Sequence, residues 1–85
     1  MNPIDQTITE FTKGDSILRN RLYSVGVCTV KRMLELSVDE LYVLLGCSQS
    51  YMKRIKNLLE SDGLLTEYWL ASYQLLDDHP ANNGS

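Results

Sequence analysis

Beyond Lys56 the 85-residue sequence has no lysine or arginine, it has a single histidine in its C-terminal tail (His79), and it holds only two cysteines, Cys28 and Cys47. Each scarcity excludes something. The cysteines lack CxxC spacing and have no histidine partner nearby, so neither a disulfide framework nor a zinc site is expected, and two reduced, mostly buried thiols are the simpler reading. With one histidine, no evident pair of buried carboxylates and no nucleophile beside a base, no catalytic constellation can be assembled, and the sequence does not read as an enzyme or as a cofactor carrier. No run approaches the ~20 apolar residues of a membrane span, and MNPIDQTITE has neither an apolar run nor a basic leader. The expectation is a cytoplasmic protein with no membrane partner.

What is present is a divided charge. The net charge is −3, yet all eight basic residues fall between Lys13 and Lys56, where four acidic residues leave a local +4, while the flanks carry −7. A basic middle with acidic ends keeps nucleic acid in view as a partner despite the acidic total.

Caps and breakers organise the chain. Residues 1–14 read as an irregular N-terminal arm. Asp15 or Ser16 caps a helix with Leu18, Leu22 and Val25 at helical spacing, and Gly26 stops it. A short helix follows over about Thr29 to Glu35, with Thr29 as cap and Val30, Met33 and Leu34 inward. Ser37-Val38-Asp39-Glu40 is a capping box opening a helix with Leu41, Leu44 and Leu45, closed by Gly46. Ser48 or Ser50 caps the next helix, which buries Met52, Ile55, Leu58 and Leu59 and ends at Gly63. Thr66 caps a last helix within residues 65–77, and residues 78–85 read as a disordered tail. With no period-two alternation, the chain is expected to be all-α: about five short helices, with residues 15–64 as the core domain and Leu22, Val27, Val30, Leu41, Ile55 and Leu59 in one core.

Two segments share a helix, glycine turn, helix plan: RLYSVGVCTVKRML and LYVLLGCSQSYMKRIKNLL. Such hairpins present backbone N–H groups at a helix start, where the dipole favours an anion. Glycines at both ends of the turn commonly let a phosphate approach, and Gly46-Cys47-Ser48 keeps one of them.

From Ile17 to Leu64 the aliphatic pattern Leu22, Val27, Val30, Met33, Leu41, Met52, Ile55, Leu59 and the ending Ser61-Asp62-Gly63-Leu64 resemble the C-terminal domain of the bacterial RNA polymerase α subunit. The resemblance implies a compact helix-hairpin-helix-like domain that binds the DNA minor groove and contacts transcription activators. One of that family's DNA contacts, an asparagine, falls on Asn20, whereas its arginine falls on Ile17, with Arg19 and Arg21 nearby to substitute. Its glycine, lysine and serine around the second hairpin fall on Ser48, Ser50 and Tyr51, and its following glutamate falls on Arg54.

The expected DNA-facing set is therefore Arg19, Asn20, Arg21, Ser48, Ser50, Lys53 and Arg54. The partner would be double-stranded DNA, with an A·T-rich minor groove the most favourable for an inserted arginine. Each member also has an ordinary structural role: serine caps helices, exposed cations are solvated, and Lys56 can pair with Glu60 one turn on. The alternative reading keeps the scaffold as a protein-interaction module docking on a transcription protein. In the last helix, which extends past the family pattern, Trp69, Tyr73 and Leu76 share one face and Tyr68 and Leu75 another. The Trp69 and Tyr73 face either packs on the core or serves a protein partner or a dimer.

Overall fold

The computed structural model describes residues 2–78, and every regular element among them is helical. A 3₁₀ turn at Pro3–Asp5 leads into α1 (Ile8–Thr12), α2 (Ser16–Ser24), α3 (Val30–Glu35), α4 (Val38–Leu44), α5 (Gln49–Ser61) and α6 (Glu67–Asp78). The all-α expectation holds, with six α-helices among the described residues in place of five. Residues 79–85, including His79 and nearly all of the expected tail, lie outside the described residues, while Asp78 belongs to α6.

The helix starts are set by side chains. Asp15 accepts from the Leu18 N–H, Thr29 from Arg32, Ser48 from Tyr51 and Thr66 from Trp69, so each satisfies one amide that the helix cannot. Ser37 and Glu40 form the reciprocal box at α4. The bonds from the Ser37 backbone N–H and hydroxyl, with a smaller contribution from the Arg32 charge, hold the Glu40 carboxyl below its usual range. Three helices also end alike, each with a left-handed glycine and a six-residue closing bond: Val27 N–H to Leu22 C=O, Cys47 N–H to Tyr42 C=O, and Leu64 N–H to Leu59 C=O, at 2.8–2.9 Å.

The N-terminal arm corrects the sequence reading. Thr7 and Glu10 build a second capping box, and α1 drives Ile8 and Phe11 into the core, where both are fully buried. Thr12, also buried, returns its hydroxyl to the Ile8 carbonyl at 2.8 Å. The arm is sewn to the α2–α3 loop by Ile8 N–H to Cys28 C=O (3.0 Å) and Val30 N–H to Gln6 C=O (3.1 Å), an isolated bridge rather than a sheet. Around it one core gathers Leu18, Leu22, Val27, Val30, Met33, Val38, Leu41, Leu45, Met52, Ile55, Leu59 and Trp69.

Other expectations change. Leu44 is 39% exposed, because Val38, Leu41 and Leu45 define the buried stripe of α4 and leave Leu44 at its margin. Both cysteines are exposed, since each sits in a connection and not on a packed helix face. Trp69 is a core residue, and Tyr73 stacks on it with ring centroids 5.9 Å apart, so of the two roles open to this aromatic face, packing on the core is the one it takes, and it is not left over as the Trp69 and Tyr73 partner surface. Tyr68 and Leu75 are the large apolar residues of α6 left outside, 78% and 62% exposed.

Asp62, just after α5, clasps the arm. Its carboxylate accepts from Gln6 Nε2 at 3.0 Å and from Lys13 Nζ at 2.7 Å. These two bonds, that of Gln6 first, lower the Asp62 pKa. A carboxyl whose folded pKa lies below its unfolded one stabilises the fold above the unfolded pKa and loses that contribution as pH falls through the folded value. Asp62→Ala is therefore expected to cost about 1 kcal/mol at pH 7, a value reduced for the exposure of Lys13, and to flatten the acid limb of the stability profile. Urea midpoints measured from neutral to strongly acidic pH check this; parallel profiles for the two proteins would count against the clasp.

Candidate nucleic-acid interface

Two side-chain contacts fix how α2 lies beside the α4–α5 hairpin. At the α2 start, Asp15 Oδ1 receives Arg54 Nη1 of α5 at 3.4 Å. Near its end, Arg21 lays its guanidinium on the hairpin turn, so close to Gly46 that a Cβ added there would sit 3.1 Å from Arg21 Nη2. Residue 15 is thus next to 54 and residue 21 next to 46, so α2 runs antiparallel to the turn and the first half of α5.

The turn itself has the geometry for close approach. Gly46 (φ +80°) and Cys47 (φ +58°) are both left-handed, which reverses the chain in two residues. Ser48, on which the polymerase-type glycine falls, has an extended backbone (φ −92°, ψ 110°) that any residue adopts, so the missing second glycine imposes no backbone strain there. Strain sits instead at Cys47, a non-glycine in a region that side chains rarely occupy. The Ser48 hydroxyl takes the Tyr51 N–H at 3.1 Å, leaving the N–H groups of Gln49 and Ser50 without an intrahelical partner at the positive pole of α5.

Helical periodicity sorts the remaining candidates. In α5 the buried residues Met52, Ile55 and Leu59 form one stripe, and Ser50, Lys53, Arg54 and Asn57, at spacings i, i+3, i+4 and i+7, form the opposite one. Ser50, Lys53 and Asn57 are exposed and Arg54 is partly so. Asn57 had not been singled out in the sequence; its seven-residue spacing from Ser50 is the signal that finds it. Lys53 enters no ion pair among the described residues, whereas Arg54 is shared with Asp15 and Lys56 sits 3.7 Å from Glu60.

In α2 the buried Leu18 and Leu22 turn Ile17, Asn20 and Arg21 outward together. Arg19 does not join them. At 100° per residue it lies on the flank of Tyr23, whose hydroxyl bonds Thr9 of α1 at 2.7 Å. Its Nε still reaches back to Asn20 Oδ1 at 3.3 Å, so the asparagine keeps its amide NH₂ as a free donor geometry. Six of the seven expected residues, namely Asn20, Arg21, Ser48, Ser50, Lys53 and Arg54, thus belong to the α2 edge and the hairpin beside it, and Arg19 stands apart.

No family model, curated protein or solved structure matches the chain. What the surface offers is chemical: two guanidinium groups and an ammonium, hydroxyl and amide donors, and a helix N-terminus, set opposite the core. Among the described residues no group of histidine, cysteine or carboxylate side chains is arranged to hold a metal ion, and no helix is long and apolar enough to cross a membrane.

Proposed function

We propose that this chain is a small transcription-associated DNA-binding domain, meeting the phosphate backbone and minor groove with the outward edge of α2 and the first turns of α5. The observation that supports it most is the approach of Arg21 to the hairpin turn that leads into α5, whose outward stripe carries Ser50, Lys53, Arg54 and Asn57. Lys53 and Arg21 would neutralise phosphates, which is where most of the affinity of such a domain arises. Ser50 and the first α5 amides would donate to phosphate oxygens and fix the register. Asn20 would reach the groove edge, and the exposed Ile17 would lie against deoxyribose. The likeness of the Ile17 to Leu64 pattern to the polymerase α C-terminal domain points the same way, and extends the proposal to helix-hairpin-helix character.

A second reading has its own observation. On α4, Val43 (66% exposed) and Leu44 stand beside Asp39 and Glu40, an apolar and acidic patch unsuited to DNA. It suits a protein-interaction module that docks on a transcription protein.

An NMR titration of the labelled chain with an A·T-rich duplex, at low and moderate salt, separates them. The DNA reading expects shifts at Asn20, Arg21, Ser50, Lys53 and Asn57 that fade with salt, and a several-fold weaker association for Asn20→Ala. No shifts at low salt would defeat it and leave the α4 patch as the surface to pursue.

A further inference from the structure

We infer that α6 is a built-in competitor for the start of α5, so that the proposed DNA site is held partly closed by the chain's own C-terminal helix. The inference rests on the DNA reading above and concerns how that same site is regulated.

Its basis is where α6 ends. The helix packs across α4 and α5 through Trp69, Tyr73 and Leu76, and its last turn reaches the first residue of α5, where Gln49 Nε2 donates to the Leu76 carbonyl at 3.1 Å. Gln49 lies between Ser48 and Ser50, the two serines of the candidate interface. Because Gln49 is itself the first residue of α5, this bond holds the Leu76 carbonyl at the end of the helix where the unpaired α5 amides lie. The C-terminal pole of one helix, carrying partial negative charge, is thereby set at the positive N-terminal pole of another. It supplies from within the chain part of what a phosphate would supply from outside. The sequence works in the same direction, because no lysine or arginine follows Lys56 to offset the negative end of α6.

The docking is also imperfect in a way that suits a movable element. Trp69 is 6% exposed, yet its indole Nε1 is buried with no hydrogen-bond partner among the described residues. A buried donor left unpaired costs free energy that undocking would recover. The end of α5 is closed independently of α6, by Gly63 and the Leu64–Leu59 bond, so release of the last turn of α6 would leave α5 intact.

The test removes only the tether. Gln49→Ala in the full chain deletes the bond to Leu76 while leaving Trp69, Tyr73 and every proposed DNA contact in place. Amide hydrogen exchange in the last turn of α6 should quicken, and affinity for the A·T-rich duplex at moderate salt should rise about two- to fivefold, the range of one helix-pole interaction. Faster exchange with unchanged or weaker affinity would overturn the competition, and unchanged exchange would show that Gln49 does not hold α6. If neither the parent chain nor Gln49→Ala shifts with duplex at low salt, the DNA reading itself has failed, an outcome distinct from equal binding by both.

Discussion

Phe11→Ala is expected to cost about 3–5 kcal/mol, the usual penalty for emptying a buried aromatic site. The ring is fully buried, and its helix is too short to be stable alone, so α1 exists because Ile8 and Phe11 are taken into the core. Domains of this size hold roughly 0.05–0.15 kcal/mol per residue, so the change would consume a large part of the total. Loss of Phe11 also loosens what the arm positions: Lys13 and Gln6 against Asp62, and the backbone bridge to Cys28 and Val30. Urea unfolding followed by circular dichroism measures it, with Ile17→Ala, at an exposed site, expected within about 0.5 kcal/mol of the parent. A Phe11→Ala loss under ~1 kcal/mol would mean that the arm is an appendage.

That arm is where the sequence was hardest to read, for a physical reason. A five-residue helix buries only two apolar side chains, Ile8 and Phe11, and two residues three apart do not make a period. The legible signal was local: Thr7-Ile8-Thr9-Glu10 has the same box spacing as Ser37-Val38-Asp39-Glu40, and both boxes form. Elsewhere the caps and glycines stood in plain sight, because cap chemistry is decided within four residues and needs no tertiary knowledge. Among the leucines of α4 and its C-cap, spacing from Leu41 alone does not separate Leu44 from Leu45, and only Val38 with Leu45 shows which way the buried stripe runs. Cys28 and Cys47 were misplaced because small apolar character says little about a residue inside a turn.

The candidate interface was legible in composition and not in arrangement. Arg19, Asn20 and Arg21 are consecutive, which in a helix guarantees that they point three ways. Which of them turns toward the hairpin follows from Leu18 and Leu22, and the approach of Arg21 to Gly46 is a tertiary contact that nothing in either segment announces. Asn57 was overlooked for the converse reason, since it joins Ser50, Lys53 and Arg54 only when two full turns of α5 are laid out.

The arrangement also decides how the DNA proposal is best challenged. Reversing both Lys53 and Arg54 to glutamate would confuse two effects, because Arg54 holds Asp15, which caps α2. A glutamate at 54 would face that carboxylate and weaken the fold as well as the surface. Lys53→Glu combined with Arg54→Gln avoids the repulsion, as glutamine can still donate toward Asp15. Lys53 is exposed and unpaired among the described residues, so its reversal costs the fold little, and the double variant should melt close to the parent. Binding should respond far more. If α5 faces phosphates as proposed, losing two cations removes about two released counterions, lowering the slope of log affinity against log salt by roughly 0.9 for each phosphate no longer neutralised. At low salt, where such contacts count most, the affinity for an A·T-rich duplex should fall by one to two orders of magnitude, on the order of 1–3 kcal/mol. A folded double variant that binds as the parent does, with the same salt slope, would remove α5 from the interface and with it the argument built on the hairpin.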